Sequence, residues 1–428
     1  MTIFFVRQVG KVVHLVYGKS KQLEEQDSVM DFNFPAQDDP RRIEIREWFK
    51  NHPAPSGKQI AERGLAAANW PEPWGLSADP ELMLIIEEEF ARAGVIMPAV
   101  SNPIGVNQCG QSLLTWGTEE MRQELLPPTL SGEYLWCMLF SEPSGGSDLG
   151  ALRTIARRDG DDFVINGQKI WNSAADRAQI GVVVVRTDST APKHKGLTQF
   201  VIDMNMPGIT VRPIADMTGE ENEYNEVFFE DVRVPASRML GKEGDGWQIT
   251  MEQLQTERQS MTKPGAVWGS GPSARELMNG LIQTGRIKDP LIRDEAAALY
   301  VEGELLRLLS MRHLSNKING KPAGIEGNVG KMVASPHGQK MTDLAKRSQG
   351  VAGMVYNKDV LPLPPKHFGL FDNWDYAYWF SPATTLGVGT QEILKNTIAE
   401  RVLGLPRDVD PTARVPFNEI NKPNVKAA

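Results

Sequence analysis

Short strand-forming runs fall in one uninterrupted block, residues 134 to 243, and helical patterns occupy both sides of it. The runs at 136–140, 163–171, 181–186, 197–204, 209–214 and 227–234 are rich in Val, Ile and Phe and are separated by Gly, Pro or Asp. A parallel sheet needs a helix between successive strands, so this ordering excludes a doubly wound nucleotide fold. It predicts an α+β chain with a helical N-terminal domain, a central β-barrel or sandwich, and a C-terminal helical bundle. The boundaries are 30–133, 134–243 and 244–407, with residues 1–29 an extension of no assigned role and 408–428 a mobile tail.

Helix signals support the outer blocks. Asp38-Asp39-Pro40 and Ser77-Ala78-Asp79-Pro80 each offer an N-cap followed by proline at the first helical position. Thr118 caps a further helix, which should end before Pro127-Pro128, and Glu87-Glu88-Glu89 reads mainly as a solvated face. After the β-block, helices are expected over 247–261, 289–317, 327–349 and 390–403.

Charge and cysteine content narrow the function. A net charge of −8 argues against general binding to nucleic acid or acidic membranes, which require a basic face. The apolar start at Ile3 to Val6 is interrupted by Arg7, Lys11 and His14, too early for a membrane span or a signal peptide. Two cysteines, Cys109 and Cys137, show neither a disulfide framework nor metal-ligand spacing, so a cytoplasmic protein without a metal site is expected.

The stretch from 136 to 173 carries most of the chemistry. An apolar strand breaks at Ser141-Glu142-Pro143, and Ser144-Gly145-Gly146-Ser147-Asp148 follows, where successive N–H groups and hydroxyls can surround an anionic oxygen. Taken alone, Pro-Ser-Gly-Gly-Ser is more often an ordinary turn than an anion site. Asn166-Gly167, between two strand-forming runs, signals a hairpin that ends at Trp171.

Together, FSEPSGGSDLG and GDDFVINGQKIWNSAAD resemble the central signature of the acyl-CoA dehydrogenases, in residue type, order and spacing, with the resemblance running from about Met30 to Arg407. The family consists of flavoproteins that desaturate acyl-CoA thioesters between the α and β carbons. The resemblance implies FAD with Phe140 and Ser141 against its ring, Trp171 packed on the ring and Ser173 near N5. It also implies Gly146 and Ser147 at the pyrophosphate and thioester, with Ser147 touching substrate. Gln349, Gly350 and Gly353 resemble a Gln-x-x-Gly-Gly stretch that contacts the FAD of a neighbouring subunit, with Ala352 in place of one glycine. Thr390 and Glu392 begin the last helix on the same cofactor. The usual Arg-x-x-Phe-Gly element is missing; Gly285 to Pro290 occupies its region.

The reaction needs a carboxylate to take the α-proton. Many relatives carry it in Tyr-Glu-Gly-Thr, but the corresponding residues here are Gly387-Val388-Gly389-Thr390, and valine cannot accept a proton. The alternative placement, of the isovaleryl-CoA and long-chain type, is a Glu-Arg pair on the first helix after the β-domain, here Glu257-Arg258. Leu254, Glu257 and Met261 share one helical stripe, where burial makes the carboxylate a stronger base. The resemblance places Arg258 near CoA, and implies electron-transfer flavoprotein as acceptor and a homodimer or tetramer, with a mixed assembly as the alternative. A monooxygenase or oxidase of the same fold is a further alternative.

Overall fold

The computed structural model describes residues 35–219, 223–260, 265–267, 270–321, 326–355, 373–408 and 410–420, without the side chains of 258–260 and 326. Residues 1–34, including the N-terminal extension, lie outside them.

The N-terminal layer is built from capped helices. α1 (Pro40–Asn51) begins at Asp39, whose carboxylate accepts the Arg41 N–H. After α2 (Gly57–Glu62), α3 (Pro80–Ala93) begins in the same way at Asp79 and stops at Gly94 in the left-handed conformation. A π-helical turn, Ile104–Cys109, leads into α4 (Gly110–Trp116), and α5 (Glu119–Ser131) follows its Thr118 cap. Phe49, Ile85, Ile86, Phe90, Leu113 and Leu125 fill the core between them.

Two expectations fail in this layer. Instead of ending before Pro127-Pro128, α5 continues to Ser131. The prolines remove two backbone donors, but the acceptors they would have served, Gln123 and Glu124, are exposed, so water reaches them. Buried Leu126 and Leu130 hold the helix, and the Thr129 hydroxyl ties it down by donating to the Leu125 carbonyl and accepting from Trp136 Nε1. Glu89 is the second correction: it is buried rather than solvated, and its carboxylate meets Arg42 at 3.2 Å, Arg46 at 2.8 Å and Arg92 at 3.3 Å. Position 89 belongs to the core-facing register with 85, 86 and 90, so the carboxylate enters with its cations.

The central sheet consists of β1 (Trp136–Leu139), β2 (Ile155–Asp159), β3 (Asp162–Lys169), β4 (Ile180–Arg186), β5 (Leu197–Asp203), β6 (Ile209–Ile214), β7 (Tyr224–Pro235) and β8 (Met239–Leu240). Their order is β6-β7-β3-β2-β4-β5-β8, with β1 parallel to β4. The two arms of the sheet share a core: Phe163 of β3 meets Phe200 of β5 at 4.9 Å between ring centroids, surrounded by Val183, Ile202, Val227 and Val232. The opposite faces of β4 and β5, through Val182, Val184, Leu197 and Val201, join the N-terminal helical core. β4 is therefore buried along its whole length.

Asn166-Gly167 does not turn the chain. Both residues lie inside β3, and the register against β7 shifts between Ile165 and Gly167, a β-bulge. Gly167 has φ 150°, and a Cβ there would sit 2.5 Å from Thr154 Oγ1. Asn166 is occupied across the bulge, exchanging two 3.0 Å hydrogen bonds with Asp231. The hairpin instead joins β2 to β3 through Gly160, at φ 64°.

The C-terminal bundle comprises α6 (Gly246–Ser260), α7 (Ala274–Gln283), α8 (Pro290–Ile318), α9 (Glu326–Ser348), α10 (Trp374–Phe380) and α11 (Gln391–Arg401). Leu277, Leu299, Met341, Leu344 and Trp374 form its core. The segment 410–420, expected to be mobile, is docked on the β-domain. Phe417 N–H donates to the Ala191 carbonyl at 3.0 Å, Asn418 N–H to Ser189 at 2.9 Å, and the Arg186 guanidinium lies 3.5 Å over the Phe417 ring. An aromatic anchor on a cation, with two backbone hydrogen bonds, thus overrides the polar composition of the tail. Residues 421–428 lie outside the described residues.

Candidate active site

The site begins where β1 and β3 end side by side. Ile170 N–H donates to the Ser141 carbonyl at 2.9 Å, and Asn172 Nδ2 donates to Met138 at 2.9 Å. Beneath them lies a buried ion pair that sequence reasoning missed. Lys169 Nζ donates to Glu142 Oε1 at 2.9 Å and to the Phe140 carbonyl at 3.0 Å, while Glu142 accepts the N–H groups of Arg153 at 2.6 Å and Thr154 at 2.8 Å. Burial on its own raises the Glu142 pKa, but the Lys169 charge and these donors outweigh it and leave the carboxyl below its ordinary value. Burial lowers Lys169 to about 8, against the opposing pull of Glu142.

This pair anchors both ends of the Ser144 to Leu152 loop, leaving its tip free. Ser144, Gly146 and Ser147 are exposed, a Cβ at Gly146 would meet nothing within 4 Å, and among the described residues the Gly146 and Ser147 N–H groups have no hydrogen-bond partner. Lys193 Nζ approaches Asp148 at 3.2 Å and Asp410 at 3.6 Å, linking the loop to the docked C-terminal segment.

An aromatic wall stands beside the strand ends. Trp171 is 58 % exposed and holds φ 62°, a left-handed conformation that costs energy for a bulky residue. Its ring meets Tyr224 edge-on at 5.9 Å, and Tyr224 stacks on Phe380 of α10 at 5.9 Å. Tyr224 and Phe380 carry no motif that would have singled them out. Ser173 follows, hydrogen-bonded to the partly buried Glu223, whose carboxyl is raised by burial. Asn172 and Asn225 lock this corner through their backbones, Asn172 N–H donating to the Asn225 carbonyl at 3.1 Å. Phe140, Ser141, Trp171 and Ser173 are thereby brought together.

Glu257 stands on α6, but its stripe differs from the apolar one expected. The buried face runs through Gly246, Ile249, Thr250 and Gln253 to the half-buried Glu257, while Leu254 is only half-buried and Met261 lies outside the described residues. Gln199 of β5 fixes this face, with Nε2 donating to Thr250 Oγ1 at 2.7 Å and to Gln253 Oε1 at 2.9 Å. In the π-helical turn, burial, followed by the nearby Cys137 and the charge of Glu257, pushes the Cys109 thiol well up. The Arg258 side chain lies outside the described residues.

The remaining predicted positions form a second group on the bundle. Gln349 is buried with neither end of its amide hydrogen-bonded among the described residues, and Gly350 adopts φ 60° beside the exposed Val351 and Met354. Gly353 packs so closely that a Cβ would lie 2.4 Å from the Lys346 carbonyl. Thr390 caps α11, accepting the Ile393 N–H, and Glu392 occupies its first turn. Val388, at φ 61°, lies on a loop held by Lys331 Nζ at the Gly389 carbonyl, 2.8 Å. Helix α10 touches both groups, Phe380 stacking on Tyr224 and Asp375 pairing with Lys346 at 2.9 Å.

The helix–sheet–helix order, the exposed aromatic wall and the open glycine loop together suit a ligand-binding enzyme. Family comparison makes this specific: the acyl-CoA dehydrogenase N-terminal, middle and C-terminal domains match residues 26–133, 137–232 and 244–403. The chain belongs to the acyl-CoA dehydrogenase family, FAD-binding oxidoreductases that act on acyl-CoA. It is 36% identical over 349 residues to acyl-CoA dehydrogenase FadE34 of Mycobacterium tuberculosis, covering 81% of this chain but 46% of that protein, so it spans about half of FadE34. With acyl-CoA dehydrogenase IpdE1 of Mycolicibacterium smegmatis it shares 35% identity, over 82% of this chain and 88% of the relative. Among solved structures, the Tcur3481-Tcur3483 steroid ACAD superposes with a TM-score of 0.71 at 27% identity, covering 89% of this chain and 100% of that one. The ChsE4-ChsE5 complex from Mycobacterium tuberculosis gives 0.71 at 26% identity with the same coverage.

The residues fit FAD. The exposed Trp171 face suits an isoalloxazine ring, and the Gly146 and Ser147 N–H groups and the Gln349 amide, without hydrogen-bond partners among the described residues, suit phosphate oxygens and a polar group.

Proposed function

We propose that the chain catalyses α,β-dehydrogenation of an acyl-CoA thioester with Glu257 as the base. The observation carrying this assignment is the exchange of roles between two loci: valine at 388, and a carboxylate at 257 on the helix face held against the sheet by Gln199. FAD, when bound, accepts the hydride that leaves the β-carbon. Trp171, Phe140 and Ser141 hold the ring, Ser173 lies at its N5 edge, and Gly146 and Ser147 bind the pyrophosphate and reach the thioester. A backbone N–H donating to the thioester oxygen stabilises the enolate as Glu257 takes the α-proton. Arg258 contacts CoA, and electrons pass to an electron-transfer flavoprotein. Two free, buried cysteines suit a cytoplasmic location.

Gln349, Gly350, Gly353, Thr390 and Glu392 complete the FAD site of an adjacent subunit. The apolar side chains of Val351, Met354 and Val355, all more than 60% exposed beside Gly350, support burial of this element against another chain. Since two of the similar structures have paired names, the adjacent subunit is either a second copy or a homologue. The substrate is a bulky acyl thioester of the polycyclic class, a reading supported by the steroid ACAD among the similar structures.

Anaerobic mixing of the FAD-loaded protein with a thioester panel tests the function. Flavin bleaching with release of enoyl-CoA is expected, fastest with polycyclic acyl chains. Bleaching that requires an added reductant and oxygen would instead establish an oxygenase.

A further inference from the structure

The Lys169–Glu142 pair is placed to do more than hold a loop. Lys169 is fully buried, and its ammonium touches two acceptors, the Glu142 carboxylate at 2.9 Å and the Phe140 carbonyl at 3.0 Å. The Phe140 carbonyl belongs to the peptide whose N–H is on Ser141, and among the described residues that N–H has no hydrogen-bond partner. A cation on the oxygen of a peptide polarises the whole group, so the opposite N–H becomes a stronger donor, and in a low-dielectric site the effect is large. A buried lysine on one end of a peptide and an unpartnered donor on the other form a relay from the interior to the ligand.

We propose that Lys169, held by Glu142, is an electrostatic positioning residue that polarises the Phe140–Ser141 peptide so that the Ser141 N–H binds the flavin ring strongly. The inference rests on the FAD site proposed above. The charged groups facing Lys169 are Glu142, from the loop after β1, and Arg186, at the end of β4. Glu142 opposes proton loss and Arg186 favours it, while burial, the largest influence, brings the pKa from 10.5 to about 8. The relay is therefore charged at neutral pH and switches off as pH rises through about 8. The sign for stability is opposite. Between about 8 and 10.5 the folded protein has released a proton that the unfolded chain retains, so this group makes folding more favourable as pH rises. Flavin affinity and fold stability respond in opposite directions, which a purely structural lysine does not predict.

The test uses FAD-loaded wild-type protein, Lys169→Met, Glu142→Gln, the double variant, and Val234→Ala as a core control in the same sheet. FAD affinity, the visible flavin spectrum, the midpoint potential and the melting temperature are measured for each. Lys169→Met should weaken FAD binding at least about tenfold, as loss of a charge-assisted hydrogen bond does, shift the flavin bands and lower the potential. Glu142→Gln should reproduce these changes, and the double variant should be no worse than Lys169→Met, because both act through one cation. Val234→Ala should lower the melting temperature and leave spectrum and potential unchanged. Should the variants fail to fold, wild-type protein decides: its FAD affinity should fall between pH 7 and 9 with unchanged circular dichroism. Wild-type affinity and spectrum in Lys169→Met, or a flat wild-type pH profile, overturns the relay. Wild-type protein that binds no FAD, either alone or co-expressed with a homologue, overturns the flavin reading itself, a separate outcome.

Discussion

Trp171 illustrates how a single residue is bound by its surroundings to a role. A tryptophan with 58 % of its surface exposed and φ 62° gains little from the fold itself, and its geometry is maintained by the Asn172 and Asn225 contacts on one side and Tyr224 on the other. The proposed FAD site supplies a ligand that would cover it. Trp171→Ala should therefore weaken FAD binding by about 1 to 3 kcal/mol, the value of a buried aromatic face, without lowering the melting temperature of the flavin-free protein. Equilibrium dialysis of FAD together with thermal unfolding checks both halves. A variant with unchanged affinity would make Trp171 an ordinary surface residue.

At the scale of elements, the sequence was most legible where one local rule acts alone. Asp39-Pro40 and Asp79-Pro80 start helices as their side chains dictate, and the alternation of helical and strand-forming blocks gives the order of the domains. It was least legible where a distant contact overrides a local preference. Asn166-Gly167 has the chemistry of a turn, yet Thr154 and Asp231 convert it into a bulge. Pro127 and Pro128 would stop an exposed helix but not one held by Thr129 and Trp136. Glu89 and the Phe417 anchor depend on arginines far away in sequence, which no window could pair. Ser273-Ala274-Arg275-Glu276 is a further local signal, a capping box that begins α7. The bulge itself is testable. At φ 150° and 2.5 Å from Thr154, Gly167→Ala should destabilise the protein by about 1 to 3 kcal/mol, read from the denaturant midpoint, with further loss of FAD binding because β3 delivers Lys169 and leads into Trp171. Full stability in that variant would mean the bulge tolerates a side chain.

For the whole molecule, the candidate site divides into a half legible as motifs and a half assembled by packing. The glycine loop and Trp171 stand in one stretch of sequence, whereas Tyr224, Phe380 and the position of Glu257 depend on the β-domain meeting the C-terminal bundle. The Gln349 to Gly353 element, with its exposed apolar side chains, extends the question to assembly. FAD per protomer and mass by light scattering answer it: full occupancy in a homo-oligomer establishes a self-sufficient enzyme, and substoichiometric FAD restored by a co-expressed homologue establishes a mixed one. The assignment of the base is the claim on which the functional account turns. Glu257→Gln, loaded with FAD and mixed anaerobically with an acyl-CoA that bleaches the wild type, tests it most directly. With Glu257 as the base, retained FAD, an unchanged flavin spectrum and bleaching slowed by about 10²-fold to 10⁴-fold or more are expected. Bleaching at the wild-type rate would contradict that assignment and move the base elsewhere.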